Sequence, residues 1–242
     1  MELDGSAAAH PEDVGPTKMI KKLNRSFQEA ISSQGYFRGW AKEKPREYWQ
    51  RTPEHVQGIE LQVDKYWDTA GGKFAINLWN GHRWSVPSIG SGRCGEIETF
   101  YTRLSDKMTG DAWWSVNNET ELEAAMKEIK KLLQKNAIPW FERVWNKVGA
   151  LEWRMETYGE YSFFREYLEI YGTDAFYEKI REWLSTCPRG IEAILEWLVI
   201  VGVISADVAG RIRLASFQTT DGYREEILTL LPEIQQSTGR NR

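Results

Sequence analysis

The chain of 242 residues contains two cysteines and three histidines, and that scarcity removes several classes of chemistry at once. Cys94 and Cys187 lie far apart and make no disulfide framework, so free thiols in a reducing compartment are expected. His10, His55 and His82 show no ligand spacing, so no metal site and no cofactor are expected. The longest apolar run, Ala193 to Ile204, is interrupted by Glu196 and Gly202 and is too short to span a bilayer. The N-terminal residues have neither a basic region nor an apolar core of the secretory kind. A cytoplasmic protein with no membrane partner is the expectation. No GxSxG, Walker A or HExxH pattern occurs.

Aromatics, by contrast, are abundant: twelve Trp, ten Tyr and nine Phe. Such side chains fill cores, and they also favour interfaces and pockets. Net charge is −4, which argues against whole-protein attraction to nucleic acid or anionic lipid. The charge is uneven, at +1 over residues 1–147 and −5 over residues 148–242. That shift hints at two parts.

The first part is organised around His55 to Asn80, two apolar-alternating runs joined by Gly71-Gly72. Ile59, Leu61 and Val63 alternate with Glu60, Gln62 and Asp64, the pattern of a strand with one buried face. Val56 is out of phase with that set, and Gly58 at the slip would suit a bulge. Phe74, Ile76 and Leu78 form the partner strand. Short aromatic strands are expected at 36–42 and 46–51, a loop at 81–92, and a further strand at 94–103.

Helices flank the sheet. Ile20, Leu23, Phe27 and Ile31 make one face of a helix from Thr17 to Ser33, with Lys18, Lys21, Lys22 and Arg25 opposite. Asn118 and Glu121 have capping-box spacing ahead of Leu122, Met126, Ile129 and Leu133. Pro139 suits the first turn of a short helix. From Leu151 onward no strand is evident. Helices are expected around 163–168, from Thr173 through Leu184, from Ile191, from Ser205 and from Asp221. The class is therefore α+β, an antiparallel sheet flanked by helices at 17–148, then an all-helical module at 150–236. Residues 1–16 read as a disordered arm.

One segment carries a family pattern. An amphipathic helix leads into GYFRGWAKEKPREYWQR, the strands ELQVDKYW and FAINLW, a Cys followed by RL and WW, and IPWFERV. Through Phe37, Gln62, Asn77, Leu78, Cys94, Arg103, Leu104, Trp113, Trp114, Pro139, Trp140 and Phe141, residues 18–147 resemble the bacterial domain-of-unknown-function family DUF4304. Gly95 departs from the pattern, where a His often follows the Cys. The resemblance implies an α+β domain with an antiparallel sheet and implies no activity.

Several residues invite chemistry. Gly90 to Gly95 reads GSGRCG, a literal GxGxxG, but it precedes a strand with no βαβ unit, so a nucleotide loop is not expected. Cys94 could act as a nucleophile with His82 or His55 as base, or be a plain core thiol. Glu96 and Glu98 share one strand face, where two carboxylates could hold a metal, do acid–base work or simply face water. The Lys18–Arg25 stripe could meet phosphate, or could be the solvated back of its helix. Trp79, His82, Arg83 and Trp84 at the sheet end, with Arg103, Trp113 and Trp114 beyond it, could line one cleft or cap the core. A non-catalytic module binding another protein is the expected function, in a bacterial defence or toxin-neutralising setting. A small-ligand protein or enzyme using the Trp cleft is the alternative. Nucleic-acid binding through the N-terminal helix ranks last.

Overall fold

The computed structural model describes residues 16–65, 67, 72–86, 95–108, 111–158 and 163–186, with the single positions 199, 207 and 210. Residues 1–15 of the expected N-terminal arm, both cysteines, residues 90–94 of the GSGRCG loop and nearly all of the region expected to be helical from Ile191 lie outside them, while Pro16, expected in the arm, opens a helix.

Helix α1 (Pro16–Ser32) buries Met19, Leu23, Phe27, Ala30 and Ile31 along one stripe. The segment after it does not begin with a strand. Gly35–Phe37 forms a 3-10 turn, and β1 (Ala41–Lys44) starts later than the sequence suggests. The cause is packing. Phe37 meets Trp40 edge-on at 5.0 Å between ring centroids, and Trp40 meets Phe141 at 5.2 Å. The aromatics that suggested a strand instead form a plug of the core, which a turn delivers better than an extended chain.

The sheet is antiparallel in the order β1-β2-β3-β4-β5, through β2 (Glu47–Arg51), β3 (His55–Val63), β4 (Gly72–Arg83) and β5 (Ile97–Arg103). Strand β4 runs three residues past Asn80, so the expected loop begins late. A short strand, β6 (Trp114–Val116), also pairs with β4 and sets Trp114 opposite Phe74, their rings stacked at 5.7 Å. Three residues are too few to show a period, and β6 is not legible in the sequence.

Alternation assigns the two faces. On one, Tyr48 packs on Phe27 of α1, Gln57 donates from Nε2 to the Phe141 carbonyl at 2.8 Å, and Ile59, Leu61, Phe74, Ile76 and Leu78 are buried. On the other lie Trp49, Gly58, Glu60, Gln62, Asn77, Trp79, Tyr101 and Arg103. Gln57, Ile59 and Leu61 share a face in unbroken alternation past Gly58, whose role lies elsewhere. A Cβ built on it would lie 2.3 Å from Cε3 of Trp49, so the indole of β2 rests on the bare backbone of β3.

Helix α2 (Glu119–Leu132) opens on the expected cap. Glu121 N–H donates to Asn118 Oδ1 at 2.9 Å, and Glu121 Oε2 accepts from Asn117 N–H at 2.8 Å. It does not stop near Asn136. A π-helical turn at Leu133–Ala137, with the Ile138 N–H donating to the Leu133 carbonyl, carries it into α3 (Ile138–Arg143).

The chain clusters into two compact units. The first comprises residues 1–51, 57–79 and 100–141, the second residues 52–56, 80–99 and 142–242. The second holds α4 (Lys147–Tyr158) and α5 (Phe164–Thr186). Helix α4 escaped the sequence because its buried set, Gly149, Ala150, Leu151 and Trp153, is mostly consecutive rather than spaced by turns. Helix α5 breaks at Gly172, φ +78°, beside the cap expected at Thr173. Among the described residues no strand follows β6, and the class is α+β. No described helix is long and apolar enough to cross a membrane.

Candidate functional site

Within the first unit, the sheet face opposite α1 carries a row of aromatic rings. Trp49 of β2 reaches across Gly58 to Trp79 of β4, 6.4 Å between centroids and tilted by 39°. Trp79 meets Tyr101 of β5 at 4.8 Å and 35°. The row crosses four strands because glycine on β3 leaves room for an indole from β2. Tyr101 is 47% exposed, while Trp49 and Trp79 are half-buried.

Both indole N–H groups point to carboxylates. Trp49 Nε1 donates to Glu47 Oε2 at 3.4 Å, and Trp79 Nε1 donates to Glu60 Oε2 at 3.1 Å. The guanidinium of Arg51 stacks over Trp49 at 4.6 Å while bonding both oxygens of Glu43. One end of the row is therefore already occupied by a cation of the chain itself.

A polar chain runs beside the rings. Asn77 Nδ2 donates to Glu60 Oε2 at 3.2 Å and to Gln62 Oε1 at 3.0 Å. Arg103 donates to Gln62 at 3.4 Å, pairs with Asp111 and lies 4.4 Å over Trp113. Asn77 is 4% exposed, and its Oδ1 has no hydrogen-bond partner. The two acceptors around Nδ2 fix that orientation of the amide. Glu60 makes no ion pair with any described residue. Lys44, whose charge its field reaches, is bonded to Glu47 at 2.8 Å instead. Gln62, Asn77, Arg103 and Trp113, four of the residues that carry the family resemblance, meet on this face.

The second unit holds a different arrangement. His55 and His82 are buried and stacked, 4.4 Å between centroids at 21°. His55 Nε2 bonds Asn80 Oδ1 at 2.8 Å, and His82 Nε2 bonds the Val144 carbonyl at 3.0 Å. The Val144 carbonyl can only accept, so His82 carries its proton on Nε2. Trp145 closes on His55 edge-on at 4.6 Å. Burial, then the charge of His55, pushes the His82 pKa down to about 4, and burial lowers that of His55. Both are neutral at neutral pH. The Asn80 amide and the Val144 carbonyl hold the two rings in place.

Beside it, Trp84 is 3% exposed, with Lys147 Nζ 4.9 Å and the Arg165 guanidinium 5.5 Å from its ring centroid. Each cation is held by acid: Lys147 by Glu169, Arg165 by Glu98 and by Glu166 at 3.1 Å. Arg83 donates to the carbonyls of Pro53 at 2.8 Å and Gly95 at 2.7 Å, tying three segments together.

Of the residues singled out in the sequence, Trp79, Arg103 and Trp113 come together on the sheet face opposite α1 in the first unit. Trp114 stacks on Phe74 and donates to Glu128 of α2 at 3.1 Å. His82, Arg83, Trp84, Glu96 and Glu98 belong to the second unit. Glu98 is bonded to Arg165, and Glu96 is exposed one residue before β5 begins. On α1, Lys22 pairs with Glu119 and Arg25 with Glu29, while Lys18 and Lys21 are exposed. No group of three or more His, Cys, Asp or Glu side chains suited to a metal ion occurs among the described residues. Sequence reasoning missed Trp49, Glu60 and Tyr101 as site residues, although strand alternation placed Glu60 and Trp79 off the core face.

Residues 38–143 match the family model described as Domain of unknown function (DUF4304). That span contains the whole aromatic row and its polar chain. No curated protein and no solved structure matches the chain.

Proposed function

We propose that the first unit is a non-catalytic binding module that receives another protein on the open face of its sheet. The observation that carries this reading is the ring row Trp49–Trp79–Tyr101, which includes a tyrosine 47% exposed. Trp, Tyr and Arg are the residues in which binding energy concentrates at protein interfaces. A rigid sheet holds these rings in place before a partner arrives, which lowers the entropy cost of association. The Glu60 carboxylate beside these rings favours a basic group of the partner. A toxin held inactive by this chain is the partner class we infer.

A photo-crosslinking side chain at position 101 tests the reading in cells of the source organism. Position 21, exposed on α1, serves as the control. A protein captured from 101 but not from 21, and lost when Trp79→Ala is added, supports the proposal. No capture from 101, or equal capture from both positions, overturns it. The alternative of a planar small ligand predicts a co-purifying molecule that is lost with the same Trp79→Ala change.

A further inference from the structure

We infer that the centre of this face is a receptor for an organic cation, and that the partner's anchor is an arginine seated against Trp79 and Tyr101 and paired with Glu60. This inference rests on the protein-binding reading of the same face and names the group that binds there.

Three observations converge on a cation. Glu60 is a half-buried carboxylate whose bonds come only from neutral donors, the Asn77 amide and the Trp79 indole. A charge left this way inside a protein surface gains strongly from an opposite charge. The rings around it are two indoles and a phenol, the faces that attract cations most. Each indole also donates its N–H to a carboxylate, which leaves its ring richer in electrons.

The chain demonstrates the geometry on itself. The Arg51 guanidinium sits 4.6 Å over Trp49 with a bidentate bond to Glu43, and Arg103 sits 4.4 Å over Trp113 with Asp111 as its acid. Each of these tryptophans thus comes with a guanidinium on its face and a carboxylate beside it. Trp79, between them, has the carboxylate and no cation among the described residues.

Arginine fits better than lysine on the donor count. Glu60 has one oxygen engaged by two neutral donors and its other oxygen without a hydrogen bond among the described residues, so a fork of donors can still be met there. A guanidinium offers five N–H groups in a planar fork, whereas an ammonium offers a point charge. A nucleic-acid backbone is disfavoured here, because Glu43, Glu47 and Glu60 would repel phosphate.

The test titrates the full chain with N-acetylarginine amide and with its neutral isostere, N-acetylcitrulline amide. The readout is the Trp79 indole N–H resonance, assigned by its loss in Trp79→Phe. Arginine is expected to shift that resonance to saturation, and citrulline to leave it in place. Glu60→Gln, which keeps an oxygen to accept from Trp79, is expected to weaken arginine about tenfold. Its thermal midpoint confirms that the fold is intact. Equal shifts with arginine and citrulline, no shift with either, or unchanged affinity in Glu60→Gln overturns the receptor. Crosslinking from position 101 separates the two ideas. A partner captured equally by wild type and Glu60→Gln leaves the docking face standing and removes the cation anchor. An arginine response without any captured partner does the reverse.

Discussion

Trp49 lies on Gly58: the indole of β2 occupies the space above the β3 backbone, where any side chain would stand. The contact turns two separate rings into a continuous surface, because only by crossing β3 does Trp49 reach Trp79. Gly58→Ala is the direct probe. Its Cβ would lie 2.3 Å from the ring, so Trp49 must move. Overpacking of this kind costs about 1–3 kcal/mol. Chemical denaturation should show that loss. Binding on the open face should fall as well, even though the added methyl group would touch no ligand.

The stacked histidines make stability depend on pH. The pKa of His82 falls from an ordinary 6.5 to about 4 in the folded state, chiefly through burial. Between those values the unfolded chain binds the extra proton, so stability rises with pH. The contribution is complete above pH 6.5 and declines as pH falls toward 4, by about 3 kcal/mol in all. The lowered pKa of His55 adds in the same direction. Urea midpoints at pH 7.5, 6 and 5 should fall more steeply for wild type than for His82→Gln. Parallel curves would refute the assignment.

Glu166 is the acid between two arginines. It accepts from Arg154 at 2.9 Å and from Arg165 at 3.1 Å, with side chains 5–16% exposed. Arg165 Nε is already buried without a partner. Glu166→Ala would remove the carboxylate that the two guanidiniums share and leave Arg165 to the half-exposed Glu98. Breaking such a group costs about 3–5 kcal/mol. Replacing Glu152, exposed on α4, should cost far less in the same melt.

Asn118 caps α2 through the 2.9 Å bond from Glu121 N–H. Asn118→Ala should cost about 1 kcal/mol, and Asn118→Asp almost nothing. Hydrogen exchange should locate the loss in the first turn of α2.

The sheet was legible where burial follows a period. Ile59 and Leu61 alternate with Glu60 and Gln62, and the structure buries the first pair deeply and the second partly. The cap at Asn118 was legible because it is local. Tyr36, Phe37 and Trp40 misled because their partner, Phe141, lies a hundred residues away. The site was half legible for the same reason. Trp79, Arg103 and Trp113 drew notice as aromatic and basic residues near one sheet. Trp49 did not, since only the order of the strands reveals that β2 lies one strand from β4. The pairing of His55 with His82 was likewise invisible, set by neighbouring positions on different strands.

The π-helical turn at Leu133–Ala137 has a consequence for how this chain can change in length. A wider turn resets the angular phase of everything after it, much as a spacer sets the next tooth of a gear. Upstream, the phase points Leu122, Met126 and Ile129 inward, and downstream it points Trp140 and Phe141 inward. Wound as ordinary α-helix, the same residues would turn α3 too far, at about 100° per residue, and swing the aromatic plug away from Phe37 and Trp40. The wide turn absorbs one residue more than an α-turn holds, so the number of residues here and the width of the turn are set together.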